Sequence, residues 1–138
     1  MIHASCCCGG VRFELTAPPT MMGTCHCSRC RKAGAGAFVF VRRDSFRWLA
    51  GRELVETFRA EPPYVHDRSF CRRCGTALGE PLAAAESFPI NAHCLDDDPG
   101  VRNRFHEFVG EKPTWYEICD AAPQFAAHPV KSSPPPVS

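Results

Sequence analysis

Apolar and polar positions alternate along this chain in runs of four to seven residues, the period of half-buried strands rather than of helices. Strands are predicted over VRFEL (11–15), AFVFV (37–41), LVETF (54–58), YVHDRSF (64–70), FPINAHC (88–94), RFHEFV (104–109) and WYEI (115–118). Prolines and glycines in APP (17–19), EPP (61–63), DDDPG (96–100) and EKP (111–113) separate the runs and exclude long helices. Two short helices are predicted, one starting within SRCRKAGA (28–35) and one over PLAAAE (81–86), whose proline suits a first turn. The pattern is that of a mainly β chain built from several small sheets.

At 138 residues and 44% hydrophobic content, the chain suits a single domain, placed over residues 1–125. Residues 126–138 are rich in proline and serine with few large apolar side chains, which predicts a disordered or extended tail. The formal charge of +1 gives no electrostatic footprint for nucleic acid. No secretory pattern opens the chain, and no apolar run approaches the roughly 18 residues of a membrane span. A reducing, cytoplasmic setting is therefore expected, and there clustered cysteines are more often metal ligands than disulfides.

Cysteine changes the picture most. The ten cysteines fall into Cys6-Cys7-Cys8, then Cys25-His26-Cys27-Ser28-Arg29-Cys30, then Cys71-Arg72-Arg73-Cys74, with Cys94 and Cys119 alone. Cys6 and Cys8 lie on one side of an extended stretch, and the C-x2-C at Cys71 and Cys74, followed by Gly75, suits a metal knuckle. Together they make a four-thiolate structural zinc site. Cys25, Cys27 and Cys30 then remain as three thiolates with an open fourth position, the arrangement a catalytic zinc uses to admit an outside ligand. A rival pairing joins Cys27 and Cys30 to Cys71 and Cys74 as a zinc ribbon, leaving Cys6, Cys8 and Cys25 without a purpose. Buried free thiols or disulfides are the plainer alternative.

The motifs CCCGGV (6–11), CHCSRCRKAGA (25–35), FCRRCG (70–75), INAHCLDD (90–97) and HEFVGEKPTWYEICD (106–120) together resemble the glutathione-dependent formaldehyde-activating enzyme family. That resemblance implies an Mss4-like fold of coiled antiparallel sheets. It also implies structural zinc on Cys6, Cys8, Cys71 and Cys74, and catalytic zinc on Cys25, Cys27 and Cys30. The implied activity is a carbon-sulfur lyase that joins a zinc-activated thiol, glutathione or similar, to formaldehyde or another small aldehyde. Two departures stand out. The family's Pro-Trp pair is Pro113-Thr114-Trp115 here, and the chain begins close to its first ligand, which reduces the expected glutathione contact surface.

By residue type, His26, His93, His106 and Asp96 are the candidates for proton transfer, and Arg31, Lys32, Arg72 and Arg73 for pairing with thiol-substrate carboxylates. Solvated or hydrogen-bonding roles are the plainer readings for all of these. Trp115 and Phe108 read as core before substrate wall, and Cys7 and Cys119 as small apolar residues; Cys94 reads either as one or as a neighbour of the open trio. The competing function is a non-catalytic binding or chaperone-like module on the same zinc-stapled scaffold.

Overall fold

The strands of the computed structural model are, in chain order, β1 (Ile2–Ser5), β2 (Arg12–Leu15), β3 (Met21–Cys25), β4 (Ala37–Arg42), β5 (Phe46–Ala50), β6 (Val55–Phe58), β7 (Arg68–Cys71), β8 (Ala77–Gly79), β9 (Ser87–Asn91) and β10 (Asn103–Glu107). One helix, α1 (Ser28–Ala33), follows β3 directly. The structure describes residues 1–130, so the rest of the predicted tail, 131–138, lies outside the described residues. Within its first part, Ala127 accepts a hydrogen bond from the Phe108 amide and His128 packs edge-on against the Phe108 ring.

The strands form two sheets, a three-stranded one in the order β1-β2-β5 and a seven-stranded one in the order β10-β3-β4-β9-β8-β7-β6. All pairs are antiparallel except β3 with β10, which run parallel. The core lies between the sheets. Phe13 and Leu15 of β2 meet Val39 and Val41 of β4, Phe88 and Ile90 of β9, and Leu78 of β8, all of them fully buried. Phe46 bridges the layers, its ring 4.9 Å from Phe13 and 5.5 Å from Phe88. The strands alternate because each has one face on this core, as Val39 and Val41 show on β4.

Several predictions differ from the structure. Residues 81–86 form turns instead of a helix, because Leu82, Ala84, Ala85 and Glu86 are exposed and offer no apolar face to bury. The carbonyls of Ala85 and Glu86 are instead taken by the Nε and the amide of Arg43. Of the run 64–70, only Arg68 onward is strand; the loop before it is held by Asp67, whose carboxylate accepts the Ala60 amide. WYEI forms no strand either: Tyr116 closes a turn onto the Pro113 carbonyl, and Trp115 is 79% exposed, outside the core. Strands β1, β3, β5 and β8 were not marked by the alternation. β3 in particular carries Gly23, where a Cβ would stand 2.7 Å from the Phe105 ring, so packing on β10 demands the glycine that weakens its strand pattern.

Candidate functional site

Two groups of cysteines come together, each able to hold a metal ion: Cys6, Cys8, Cys71 and Cys74, and separately Cys25, Cys27 and Cys30. Within each group the sulfurs lie within 4.8 Å of one another. The ribbon pairing of Cys27 and Cys30 with Cys71 and Cys74 does not occur.

The four-cysteine group joins the two sheets. Cys6 and Cys8 follow β1, while Cys71 ends β7 and Cys74 stands in the next turn. Each pair sits on a tight turn closed by a left-handed glycine, Gly9 (φ 75°) after the first and Gly75 (φ 78°) after the second. The Gly9 amide bonds the Cys6 carbonyl at 2.9 Å and the Gly75 amide bonds the Cys71 carbonyl at 2.7 Å. Cys6 to Cys8 is therefore a turn rather than an extended stretch, and backbone hydrogen bonding turns both sulfurs inward. The amides of Val11 and Gly10 donate to the Cys6 and Cys8 sulfurs at 3.2 and 3.4 Å. Sulfur separations of 3.5 Å (Cys6 to Cys8) and 3.9 Å (Cys8 to Cys71) fit a tetrahedral ion. Metal–sulfur bonds of about 2.3 Å would set those edges at about 3.8 Å. The Thr76 hydroxyl, with its amide, draws the Cys74 thiol down to about 5.

The trio lies on the other side of the sheet system, where β3 runs into α1. Cys25 is the last residue of β3, Cys27 caps α1, and Cys30 sits one turn later. The cap is itself part of the site: the Cys27 sulfur accepts the Cys30 amide at 3.3 Å, as a serine oxygen would at an ordinary N-cap. A hydrogen bond shared with Cys25 draws the Cys30 thiol down to about 5, with Arg68 adding to the effect, and pushes Cys25 upward. Among the described residues, no fourth His, Cys, Asp or Glu joins the three sulfurs as a group.

Beside the trio, His26 Nε2 lies 2.8 Å from His106 Nδ1, and both imidazoles are buried. His106 Nε2 in turn faces the Asp120 carboxylate at 3.0 and 3.1 Å. A carboxylate only accepts, so the proton sits on His106 Nε2; His106 Nδ1 then accepts from His26 Nε2–H. Asn103 braces the arrangement from the carboxylate side: its amide oxygen accepts from the Thr24 hydroxyl, and its nitrogen, a donor like the neighbouring His106 Nε2–H, turns to Asp120. Burial, reinforced by His106 and Lys112, holds His26 below the usual histidine range. Glu107, opposite Cys25 in the β3–β10 register, is raised by burial.

The remaining candidates are elsewhere. His93 is exposed, its amide capped by Asn91, and Asp96 accepts the Ser5 hydroxyl at 2.7 Å. Cys94 is buried near the four-cysteine group and donates to the Ala77 carbonyl, so it does not approach the trio. Arg31 and Lys32 are exposed on α1, next to the trio, whereas Arg72 donates to the Glu53 carbonyl and Arg73 lies on the four-cysteine side near Gly10. Sequence reasoning missed Asn103, Asp120, Glu107 and Arg68. Arg68 Nη1 donates to the Cys30 sulfur at 3.3 Å. Only its position three residues before Cys71 on an alternating strand hinted that it faces away from the C-x2-C cysteines.

The family model described as glutathione-dependent formaldehyde-activating enzyme matches residues 1–111. A Halomonas elongata protein with the curated name "Putative glutathione-dependent formaldehyde-activating enzyme" is 32% identical, over 86% of this chain and 81% of its own length. A crystal structure of a Rhodobacter sphaeroides protein shares the fold, with a TM-score of 0.57 at 24% identity, covering 71% of this chain and 91% of that one. The mostly β architecture with one helix is thus shared with a solved structure. The sequence match extends through both cysteine groups, and the chain belongs to the glutathione-dependent formaldehyde-activating enzyme family.

Proposed function

We propose that this protein is a zinc-dependent carbon-sulfur lyase that joins a thiol, glutathione or a close relative, to formaldehyde or another small aldehyde. The observation that carries the reading is the trio itself, three converging sulfurs with no fourth protein ligand among the described residues, on the family's own motif. The donor set fits zinc, since thiolates favour it and the sulfur spacing of the four-cysteine group suits its tetrahedron. In this reading Cys6, Cys8, Cys71 and Cys74 hold a structural ion, and Cys25, Cys27 and Cys30 a catalytic one.

Zinc bound by the trio would supply a positive centre that keeps an incoming thiol ionised near neutral pH. The chain's own residues handle the rest. In the forward reaction the thiolate sulfur forms a bond to the aldehyde carbon, the carbonyl electron pair moves to oxygen, and that oxygen takes a proton to give the hydroxyalkyl thioether. His26 is the proposed carrier of that proton. Its Nε2 is committed to His106, which leaves Nδ1 to take the proton of the thiol and return it to the product oxygen. Arg31 and Lys32 stand on the exposed face of α1, where carboxylates of the thiol substrate would meet them.

All ten cysteines are free of disulfide pairing, which suits the reducing cytoplasm proposed as its setting. Among the described residues no helix is long and apolar enough to cross a membrane. The test is exchange spectroscopy of formaldehyde and glutathione with zinc-loaded protein. Adduct formation faster than in buffer, abolished by Cys25→Ser, is expected; no acceleration with any of several thiols would favour the binding-module reading.

A further inference from the structure

Three thiolates around a divalent ion leave a local charge of −1, and a site with an open position has no fourth protein ligand to hold it together. Arg68 stands where that surplus charge lies. Its Nη1 donates to the Cys30 sulfur at 3.3 Å, and among the described residues it forms no ion pair with any carboxylate. Its Nε is buried without a hydrogen-bond partner, a dry donor that is costly to maintain unless the charge is balanced nearby. Among the described residues, the one potentially anionic group it touches is the Cys30 sulfur of the trio.

Nor is the contact a product of chain proximity. Arg68 opens β7, four places from β3 in the sheet order, a separation of about 19 Å in a flat sheet. The sheet coils and α1 leans across it, closing that distance; Arg29 of α1 also lies 4.0 Å over the Tyr64 ring from the loop before β7. Alternation along β7 then sets Arg68 and Cys71 on opposite faces, so that one short strand serves both cysteine groups.

We propose that Arg68 is the positioning residue of the three-cysteine site: its guanidinium anchors the Cys30 sulfur and offsets the surplus negative charge, so that three protein ligands suffice to retain a divalent ion. The inference rests on the reading of the trio as a metal site. A lysine would keep the charge but lose the planar fork, and so serve less well.

The test compares wild type, Arg68→Gln and Arg68→Lys, each loaded with zinc and titrated with a chelator while bound zinc is counted, then repeated with cobalt to read the thiolate charge-transfer band. Wild type is expected to hold two equivalents. In Arg68→Gln the weaker equivalent should leave at chelator concentrations roughly ten- to a hundredfold lower, with a shifted cobalt band. The tighter equivalent should be unchanged, and Arg68→Lys should fall between. Retention of both equivalents by Arg68→Gln as in wild type would overturn the role of Arg68 alone. A single equivalent in wild type would overturn the trio as a metal site, and this inference with it. Should Arg68→Gln lose both equivalents by unfolding, Arg68→Lys decides: a weakened second equivalent supports the role, and wild-type retention overturns it.

Discussion

His26 Nε2 and His106 Nδ1 are 2.8 Å apart in a buried pair that ties the cysteine-bearing end of β3 to the parallel strand β10. Two imidazoles in such contact need opposite roles, donor and acceptor, and Asp120 assigns them by fixing the proton on the far side of His106. Removing the acceptor strands a buried donor. His106→Ala is expected to lower stability by about 1–3 kcal/mol, read as a fall in the urea midpoint of the zinc-loaded protein. An unchanged midpoint would mean the pair contributes nothing.

The two cysteine groups should separate cleanly by mutation. Apparent zinc-binding energies of about 10–16 kcal/mol in small structural sites match or exceed the whole stability of a domain. Cys71→Ser, which cuts the clasp between the two sheets, is therefore expected to abolish the cooperative thermal transition. Cys25→Ser should keep a transition while losing one zinc equivalent and all adduct formation. Equal loss of folding in both variants would show that the trio is as structural as the clasp.

The core offers a third measurement. Phe13 is fully buried and stacks near Phe46 and Trp48, so Phe13→Ala should cost about 3–5 kcal/mol in denaturant unfolding. Trp115, 79% exposed, should by contrast change stability by less than about 0.5 kcal/mol when replaced by alanine. A large loss at Trp115 would point to a buried role that its exposure contradicts.

His66 gives a pH signature. Its Nδ1 lies 2.7 Å from the Glu80 carboxylate, which raises its pKa despite opposition from burial and from Arg68, while Cys30 adds a small upward push. A histidine raised on folding contributes stability that is complete below its unfolded value, about 6.5. That contribution fades as pH rises through the folded value. Wild type should therefore lose more stability than His66→Gln between pH 6 and 8, measured as urea midpoints at fixed ionic strength. Parallel pH profiles would mean that the His66–Glu80 pair adds nothing to the pH dependence of stability.

How much of this was written in the sequence depends on the range of the interaction. Alternation in AFVFV and RFHEFV marked β4 and β10, since each strand has one face on the core and needs only its own residues to show it. β3 hid behind Gly23, whose presence answers to Phe105 some eighty residues away; β8, at three residues, is too short to build a pattern, and β1 buries only Ile2 and the small Ala4. The cysteine groups were legible because their members come in pairs and turns with glycine at fixed offsets, as at Cys71, Cys74 and Gly75. Their surroundings were not. Arg68 and Asp120 reach the trio and its histidines only through the coiling of the seven-stranded sheet and the return of the chain after β10, relations that no local spacing encodes.

The proposed chemistry requires an outside thiol to complete the coordination of an ion held by Cys25, Cys27 and Cys30. Zinc-edge X-ray absorption on the fully loaded protein, with and without glutathione, reads that step at the metal itself. Four sulfurs at one group and three at the other average 3.5 per ion, and a thiol entering the trio raises that average to 4. A rise from about 3.5 to about 4 on adding glutathione is the expected result; a value of 4 already without thiol, or one that glutathione leaves unmoved, would contradict it.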